Sequence, residues 1–254
     1  MTTSNTTSTA ASRTPRGVLI TGALGGIGRA TALAFAAEGA SLLLIDTAAP
    51  DPALDAALRA AGAAAVEFLQ ADIADDAQVA QAAARAMRAF GAIDVLVNVA
   101  GVMSFRPIAE LDGATWRRLL DVNLVGAALL SGQAMRVMRP GSAIVNIASV
   151  HAHRTSALVA PYAAAKAALV SLTRSAAIEG KPLGIRVNAV CPGAIDTPML
   201  HASPTIKAGI ERIDPADLGQ PEDVAALAHF LCTDAARFIT GADIVADGGR
   251  MGRL

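Results

Sequence analysis

From residue 17 onward, short apolar runs alternate with longer alanine-rich stretches, and this rhythm constrains the fold more than any other feature of the chain. GVLIT (17–21), SLLLI (41–45), AVEFL (65–69), IDVLVN (93–98), AIVNIA (143–148), IRVNAV (185–190) and DIVAD (243–247) read as strands. Several are apolar throughout rather than at every second position, which is the signature of strands covered on both faces. Between them, helices are predicted near 26–38, 51–61, 75–90, 114–137, 161–179 and 221–232. Strand–helix alternation of this kind requires right-handed crossovers and gives an α/β fold, a doubly wound parallel sheet of about seven strands with helices on both faces.

A chain of 254 residues with 53% apolar residues has ample core for one such domain. No linker or internal repeat interrupts residues 17–254, so a single domain is expected there. Residues 1–16 are Ser/Thr-rich without the hydrophobic segment of a secretory signal, and a disordered tail is expected. Residues 196–220 are proline-punctuated and weakly periodic, which suggests a lid carrying short helices. A formal net charge of −1 argues against a nucleic-acid partner. No apolar run reaches the ~20 residues of a membrane helix, so a soluble, cytoplasmic protein is expected. Two cysteines, Cys191 and Cys232, are too few for a disulfide framework or a zinc cluster, and no metal site is expected. Cys191 has no histidine partner in register and reads as a buried structural thiol.

The first strand runs into Thr21-Gly22-Ala-Leu-Gly-Gly26-Ile27-Gly28 and then a helix. Glycines there permit a sharp turn and close approach to a pyrophosphate, and the helix N-terminus presents unpaired N–H groups. The spacing is G-x-x-x-G-x-G rather than G-x-G-x-x-G, so position after the first strand carries the inference. The second strand ends at Asp46, 18 residues past Gly28, where a carboxylate accepts bonds from ribose hydroxyls and repels a 2′-phosphate. No basic residue follows it, and Arg29, the nearest cation, lies inside the helix. NAD is therefore favoured over NADP, although an ordinary strand-end aspartate would look the same.

The chain has one tyrosine and three lysines, yet Tyr162 is followed four residues later by Lys166. On a helix that spacing puts both on one face. An ammonium beside a phenol favours the phenolate, which otherwise forms near pH 10. Ser149 follows the fifth strand, at the strand end where ligands sit in such sheets.

With these residues in place, the sequence resembles the short-chain dehydrogenase/reductase family, in its compact subtype of about 250 residues. The resemblance rests on TGALGGIG (21–28), Asp72-Ile73, NVAG (98–101), Asn123 in NLVG, Ser149, YAAAK (162–166), RVNAVCPG (186–193) and TGADIVADGG (240–249). It implies a Rossmann-like domain in which Tyr162 is the general acid/base. Lys166 would hold the nicotinamide ribose and lower the tyrosine pKa, Ser149 would bond the substrate oxygen, and Asn123 would support a water-linked proton relay. It also implies that Gly22, Gly26, Ile27 and Gly28 meet the pyrophosphate and that Asp72 and Ile73 contact adenine. Asn98 would stabilise the strand beside the cofactor, and Ala100 and Gly101 would belong with it to the cofactor-binding set. Pro192, Gly193, Ile195 and Thr197 would face the nicotinamide and pyrophosphate. Two departures stand out: Val99 replaces the family's usual second asparagine, and the lid ends in IDPADLGQPEDV (213–224).

The implied reaction is reversible hydride transfer between a nicotinamide and a small secondary alcohol or ketone. Met103, His151, Val159 and Met199 are candidate substrate contacts, with core packing as the alternative for the apolar ones. Helices 114–137 and 161–179 would pair across two-fold axes in a homotetramer or homodimer. Two other readings stay open: an NADP-dependent 3-oxoacyl-thioester or other carbonyl reductase, opposed by Asp46, and a non-catalytic NAD-sensing or scaffold protein, opposed by the intact Asn123, Ser149, Tyr162 and Lys166.

Overall fold

The computed structural model describes residues 14–209 and 212–252. Its seven strands are β1 (Gly17–Thr21), β2 (Ser41–Asp46), β3 (Ala65–Gln70), β4 (Val95–Asn98), β5 (Ala143–Ile147), β6 (Arg186–Pro192) and β7 (Asp243–Ala246). All pair in parallel, in the order β3-β2-β1-β4-β5-β6-β7. Chain direction through the sheet reverses between β1 and β4, which opens a crevice at their C-terminal ends.

The apolar strands are two-faced, as a period of two demands. From β1, Val18 and Ile20 enter one core with Phe35, Leu42, Leu44, Val95 and Leu231, while Leu19 enters the other with Leu43, Ile45, Leu96, Leu130 and Ile144. The first core lies under α1 (Gly26–Ala36), α2 (Pro52–Ala61) and a C-terminal helix at Pro221–Leu231. The second lies under α3 (Asp76–Phe90) and a long helical run from Gly113 to Met135.

Local chemistry sets the helix ends. Asp51 caps α2 by accepting from the Ala53 and Leu54 N–H groups, and Asp75 does the same for α3 at Ala77 and Gln78. Both helices stop at a left-handed glycine, Gly62 and Gly91. The helix predicted over 114–137 is three pieces: α4 (Gly113–Leu120), a wide π turn (Asp121–Val125) and α5 (Gly126–Met135). Single π turns of this kind are rare and cluster at functional sites. Asn123 sits in this one. α6 (Ala160–Gly180) begins with Pro161 in its first turn, where the missing N–H costs nothing.

The stretch 196–220 carries the short helices expected of it, α7 (Pro198–His201) and α8 (Pro204–Lys207), before α9 (Pro221–Leu231). The expected tail falls almost wholly on residues 1–13, outside the described residues. Its last residue does not behave as tail: Arg16 donates to Glu38 at 3.0 Å and to the Cys232 carbonyl at 2.7 Å, which ties it to the domain. Among the described residues, no helix is long and apolar enough to cross a membrane.

Candidate active site

Two cavities meet at the C-terminal edge of the sheet. One, about 420 Å3, is floored by Gly22, Gly26 and Gly28 and flanked by Asp46, Asp72 and Ile73. The other, about 450 Å3, is lined by Ser149, Tyr162 and Lys166, with Pro192, Gly193 and Ile195. Ile27, Val99, Gly101, Thr197 and Met199 border both.

The glycines build the first cavity by what they lack. Gly22 has φ +61°, and a Cβ on Gly28 would overlap the Gly22 carbonyl oxygen, so the turn closes only on hydrogen at both places. Thr21 locks it to the neighbouring strand, its Oγ1 accepting from the Val99 and Ala100 N–H groups at 3.1 Å each. Unlike α2 and α3, α1 starts with no side-chain cap, and Gly25 leaves its first turn bare toward the cleft. An uncapped helix start on a glycine floor fits a pyrophosphate, so the residues present fit a dinucleotide.

Asp46 accepts from Leu24 N–H at 3.0 Å and Ala48 N–H at 3.1 Å and, among the described residues, pairs with no cation. Arg29, the nearest candidate, is taken up by Asp51 at 2.7 Å and the Leu24 carbonyl at 2.9 Å. Asp72 lines the cleft as expected, but one of its oxygens is held by Arg118 at 2.7 Å and the other accepts from Ala74 N–H.

In the second cavity, the Ser149 side chain stands beside the Tyr162 phenol and acts on it as a hydrogen-bonding partner would, pulling its pKa down. The serine oxygen also accepts from His151 N–H at 3.2 Å, which orients it. One face of α6 delivers Tyr162 and Lys166 together, and both are buried. Lys166 Nζ donates to the Ile147 carbonyl at 2.7 Å and lies 5.6 Å from the phenol ring centroid. Burial pushes the Tyr162 phenol up to about 12, against the lowering effect of Ser149, and pulls the Lys166 ammonium down to about 8. In the polypeptide alone, desolvation sets the direction of the Tyr162 shift.

Asn123 and Asn98 line neither cavity. The Asn123 side chain is spent on the main chain, accepting from Val102 N–H at 3.2 Å and donating to the Val102 and Leu119 carbonyls at 2.9 Å each. These bonds use both N–H donors of the amide and one of the two lone pairs of Oδ1. What Asn123 does is hold the segment that carries Gly101 between itself and Lys166. Asn98 donates to Ser131 at 3.2 Å and Asn146 at 2.8 Å, bracing β4 from beneath rather than meeting a ligand.

Comparison with known proteins agrees with this geometry. The family pattern described as "Enoyl-(Acyl carrier protein) reductase" matches residues 22–250. The chain is 41% identical over 239 residues to the cis-4-hydroxycyclohexanecarboxylate dehydrogenase of Sinomonas cyclohexanicum, covering 92% of this chain and 96% of that protein. This chain belongs to the short-chain dehydrogenase/reductase family. It is also 37% identical to 3beta-hydroxysteroid dehydrogenase 1 of Eggerthella lenta, across 91% of this chain and 92% of the relative. Among solved structures, a Burkholderia cenocepacia short chain dehydrogenase in complex with NADP superposes with a TM-score of 0.84 at 33% identity, covering 93% and 98% of the two chains. Like its short-chain dehydrogenase/reductase relatives, this protein is an oxidoreductase of alcohols that uses a nicotinamide nucleotide.

Met103, His151, Val159 and Met199 all line the 450 Å3 cavity, and the His151 ring stands edge-on to Tyr162 at 6.0 Å between centroids. The family's usual second asparagine is not missed, because Val99 uses only its N–H here, toward Thr21. Sequence reading overlooked Phe105, Arg154, Leu158, Arg250 and Met251, which complete the cavity wall. Leu158 carries the one positive φ of a non-glycine residue among the described residues, +71°, and its carbonyl is held by Arg106 N–H at 2.9 Å. No local pattern announces any of these. Cys191 is a buried free thiol as expected, but a histidine lies near it all the same. His153 lies beside it, brought there by the turn after β5 rather than by strand register.

Proposed function

We propose that the protein is an NAD-dependent dehydrogenase of a compact secondary alcohol, in which Tyr162 exchanges the hydroxyl proton, Ser149 holds the substrate oxygen and Lys166 holds the nucleotide ribose. The observation that carries this reading is the meeting of Ser149, Tyr162 and Lys166 in one predominantly apolar cavity that adjoins a glycine-floored cleft. Gly22, Gly26, Ile27, Gly28, Ala100 and Gly101 would seat the dinucleotide on one side, and Pro192, Gly193, Ile195 and Thr197 on the other. When bound, the nicotinamide supplies the carbon that accepts or gives up the hydride, and in its oxidised form a positive charge.

The chain's own residues do the rest. Ser149 and Tyr162 offer two hydroxyls to one substrate oxygen, so a carbonyl is polarised in reduction and an alcohol oriented in oxidation. A phenol held near 12 keeps its proton at neutral pH and needs added positive charge nearby to act as a base. The Lys166 ammonium is fixed in direction by Ile147, which leaves its other protons to hold the ribose and keep positive charge near the phenol. Asn123 and Asn98 act by positioning Gly101 and β4.

Asp46 supports NAD over NADP, because its carboxylate faces the cleft and the nearby Arg29 is occupied by Asp51. The walls formed by Met103, Phe105, Leu158, Val159 and Met199 favour a hydroxylated ring, and the hydroxycyclohexanecarboxylate relative supports the same choice. Exposed Leu129 and Ile178 on one side and Phe230 and Phe238 on the other suit the proposed homotetramer, which light scattering checks.

A panel of cyclohexanols, with and without a carboxylate, tests the reading by absorbance growth from NADH. Turnover of ring alcohols with NAD supports it. Turnover with NADP alone, or with unsaturated thioesters alone, replaces it by the carbonyl- or enoyl-reductase reading. Tight nucleotide binding with no turnover on any substrate favours a sensing role.

A further inference from the structure

His153, Cys191 and Asp243 come from three places in the chain: the turn after β5, the end of β6 and the start of β7. One possible ligand atom from each lies within 4.8 Å of the other two. His153 Nε2 is 3.1 Å from Asp243 Oδ2, whereas Asp243 Oδ1 is held separately by Arg174 at 2.8 Å. The Cys191 sulfur is fully buried, and the main-chain N–H of Ser149 stands near enough to pull its pKa down. Burial keeps this thiol protonated, pushing it up to about 11, although Lys166 and Arg174 pull the other way.

Cysteine, histidine and aspartate together also make a nucleophile set. That use is closed here, because no acyl group reaches a sulfur with no exposed surface. Ligation needs less room. Zinc sits about 2.0–2.3 Å from sulfur, nitrogen and oxygen donors, which places donors about 3.3–3.8 Å apart around a tetrahedral ion. The three atoms need to close by only about 1 Å to reach that spacing, and His153, whose side chain is 30% exposed, is free to adjust. Ligation through Oδ2 also leaves the Arg174 bond to Oδ1 intact, as an outer partner that fixes the carboxylate.

We propose that His153, Cys191 and Asp243 form a site for one thiophilic divalent cation of the zinc class, with water from the exposed histidine side as fourth ligand. On binding, the Cys191 thiol gives its proton to solvent, and the resulting thiolate and the Asp243 carboxylate offset the ion's two charges. The Ser149 N–H stands beside the same sulfur, so drawing the thiolate toward the ion shifts the backbone of the serine that lines the cavity with Tyr162. Occupancy therefore inhibits the enzyme.

Titration of Co2+ and Zn2+ into the full metal-free chain tests this without recourse to catalysis. The expected result is one ion per chain, a thiolate-to-cobalt charge-transfer band in the near ultraviolet, and loss of that band in both Cys191→Ser and His153→Gln. Affinity falls about 10–100-fold or more in each variant, with circular dichroism and nucleotide binding unchanged in His153→Gln. Zinc inhibits alcohol oxidation by the wild-type chain and is correspondingly weaker on His153→Gln. No uptake at micromolar metal overturns the proposal. Uptake that survives both substitutions overturns it too, since it places the ion elsewhere, for example at the exposed Asp196–His201 pair.

Discussion

Replacing Asp46 with Asn removes one charge from the nucleotide cleft, together with one of two main-chain bonds, since the amide keeps a single acceptor oxygen. The amide oxygen still accepts from Leu24 N–H, the 3.0 Å bond that fastens the glycine turn, so the floor of the cleft keeps its shape. Two unit charges 4 Å apart interact by about 1 kcal/mol in water and about 4 kcal/mol at an effective dielectric near 20. With no cation paired to Asp46, that range converts to discrimination against a 2′-phosphate of about fivefold to about 10³-fold in the wild-type chain. Asp46→Asn should erase most of it. NADP affinity rises by up to that factor, while NAD affinity falls by about 1 kcal/mol as a charged acceptor becomes a neutral one. Isothermal titration of both nucleotides into both proteins measures these terms without any need for the alcohol. An unchanged NAD-to-NADP ratio in the variant, or a wild-type chain that binds NADP more tightly, refutes the electrostatic argument.

Three further outcomes follow from the same contacts. Gly28→Ala drives a methyl group into the Gly22 carbonyl and should cost about 1–3 kcal/mol in urea unfolding and abolish nucleotide binding, whereas Gly25→Ala, whose Cβ meets only the Gly22 oxygen at 3.4 Å, should fold normally. Asn123→Ala strands the partly buried Val102 N–H and should destabilise by about 1–3 kcal/mol while lowering turnover more than nucleotide affinity. Burial raises the thiols of Cys191 to about 11 and Cys232 to about 12, above their ordinary 9, so the folded chain retains protons that the unfolded chain releases. Their contribution is full below pH 9 and is lost as pH rises toward those values. Unfolding free energy should therefore fall between pH 9 and 11, less steeply in Cys232→Ala.

The sheet was legible because strands buried on both faces must be apolar throughout, and all seven expected segments pair, in one parallel order. The catalytic candidates were legible because motif spacing maps directly onto geometry where one helix carries both residues, as α6 does for Tyr162 and Lys166. What escaped depends on distant segments meeting. Arg250 and Met251 return to the cavity from the C-terminal end, Arg118 reaches Asp72 from α4, and His153 arrives beside Cys191 across a turn. None of these has a local pattern. The π turn at Asn123 was also invisible, since its sequence reads as ordinary helix. The direction of the tyrosine shift was not legible for a different reason: charge proximity shows in the spacing, but desolvation shows only once Tyr162 is seen to be buried.

Tyr162→Phe is the decisive measurement, because it removes one oxygen and leaves the cleft, the ammonium and the serine in place. Single-turnover oxidation of an accepted alcohol should slow by about 10²–10⁴-fold while calorimetry gives an unaltered NAD affinity. Turnover within a few-fold of the parent protein would mean that the proton leaves by another route and that the proposed chemistry is wrong.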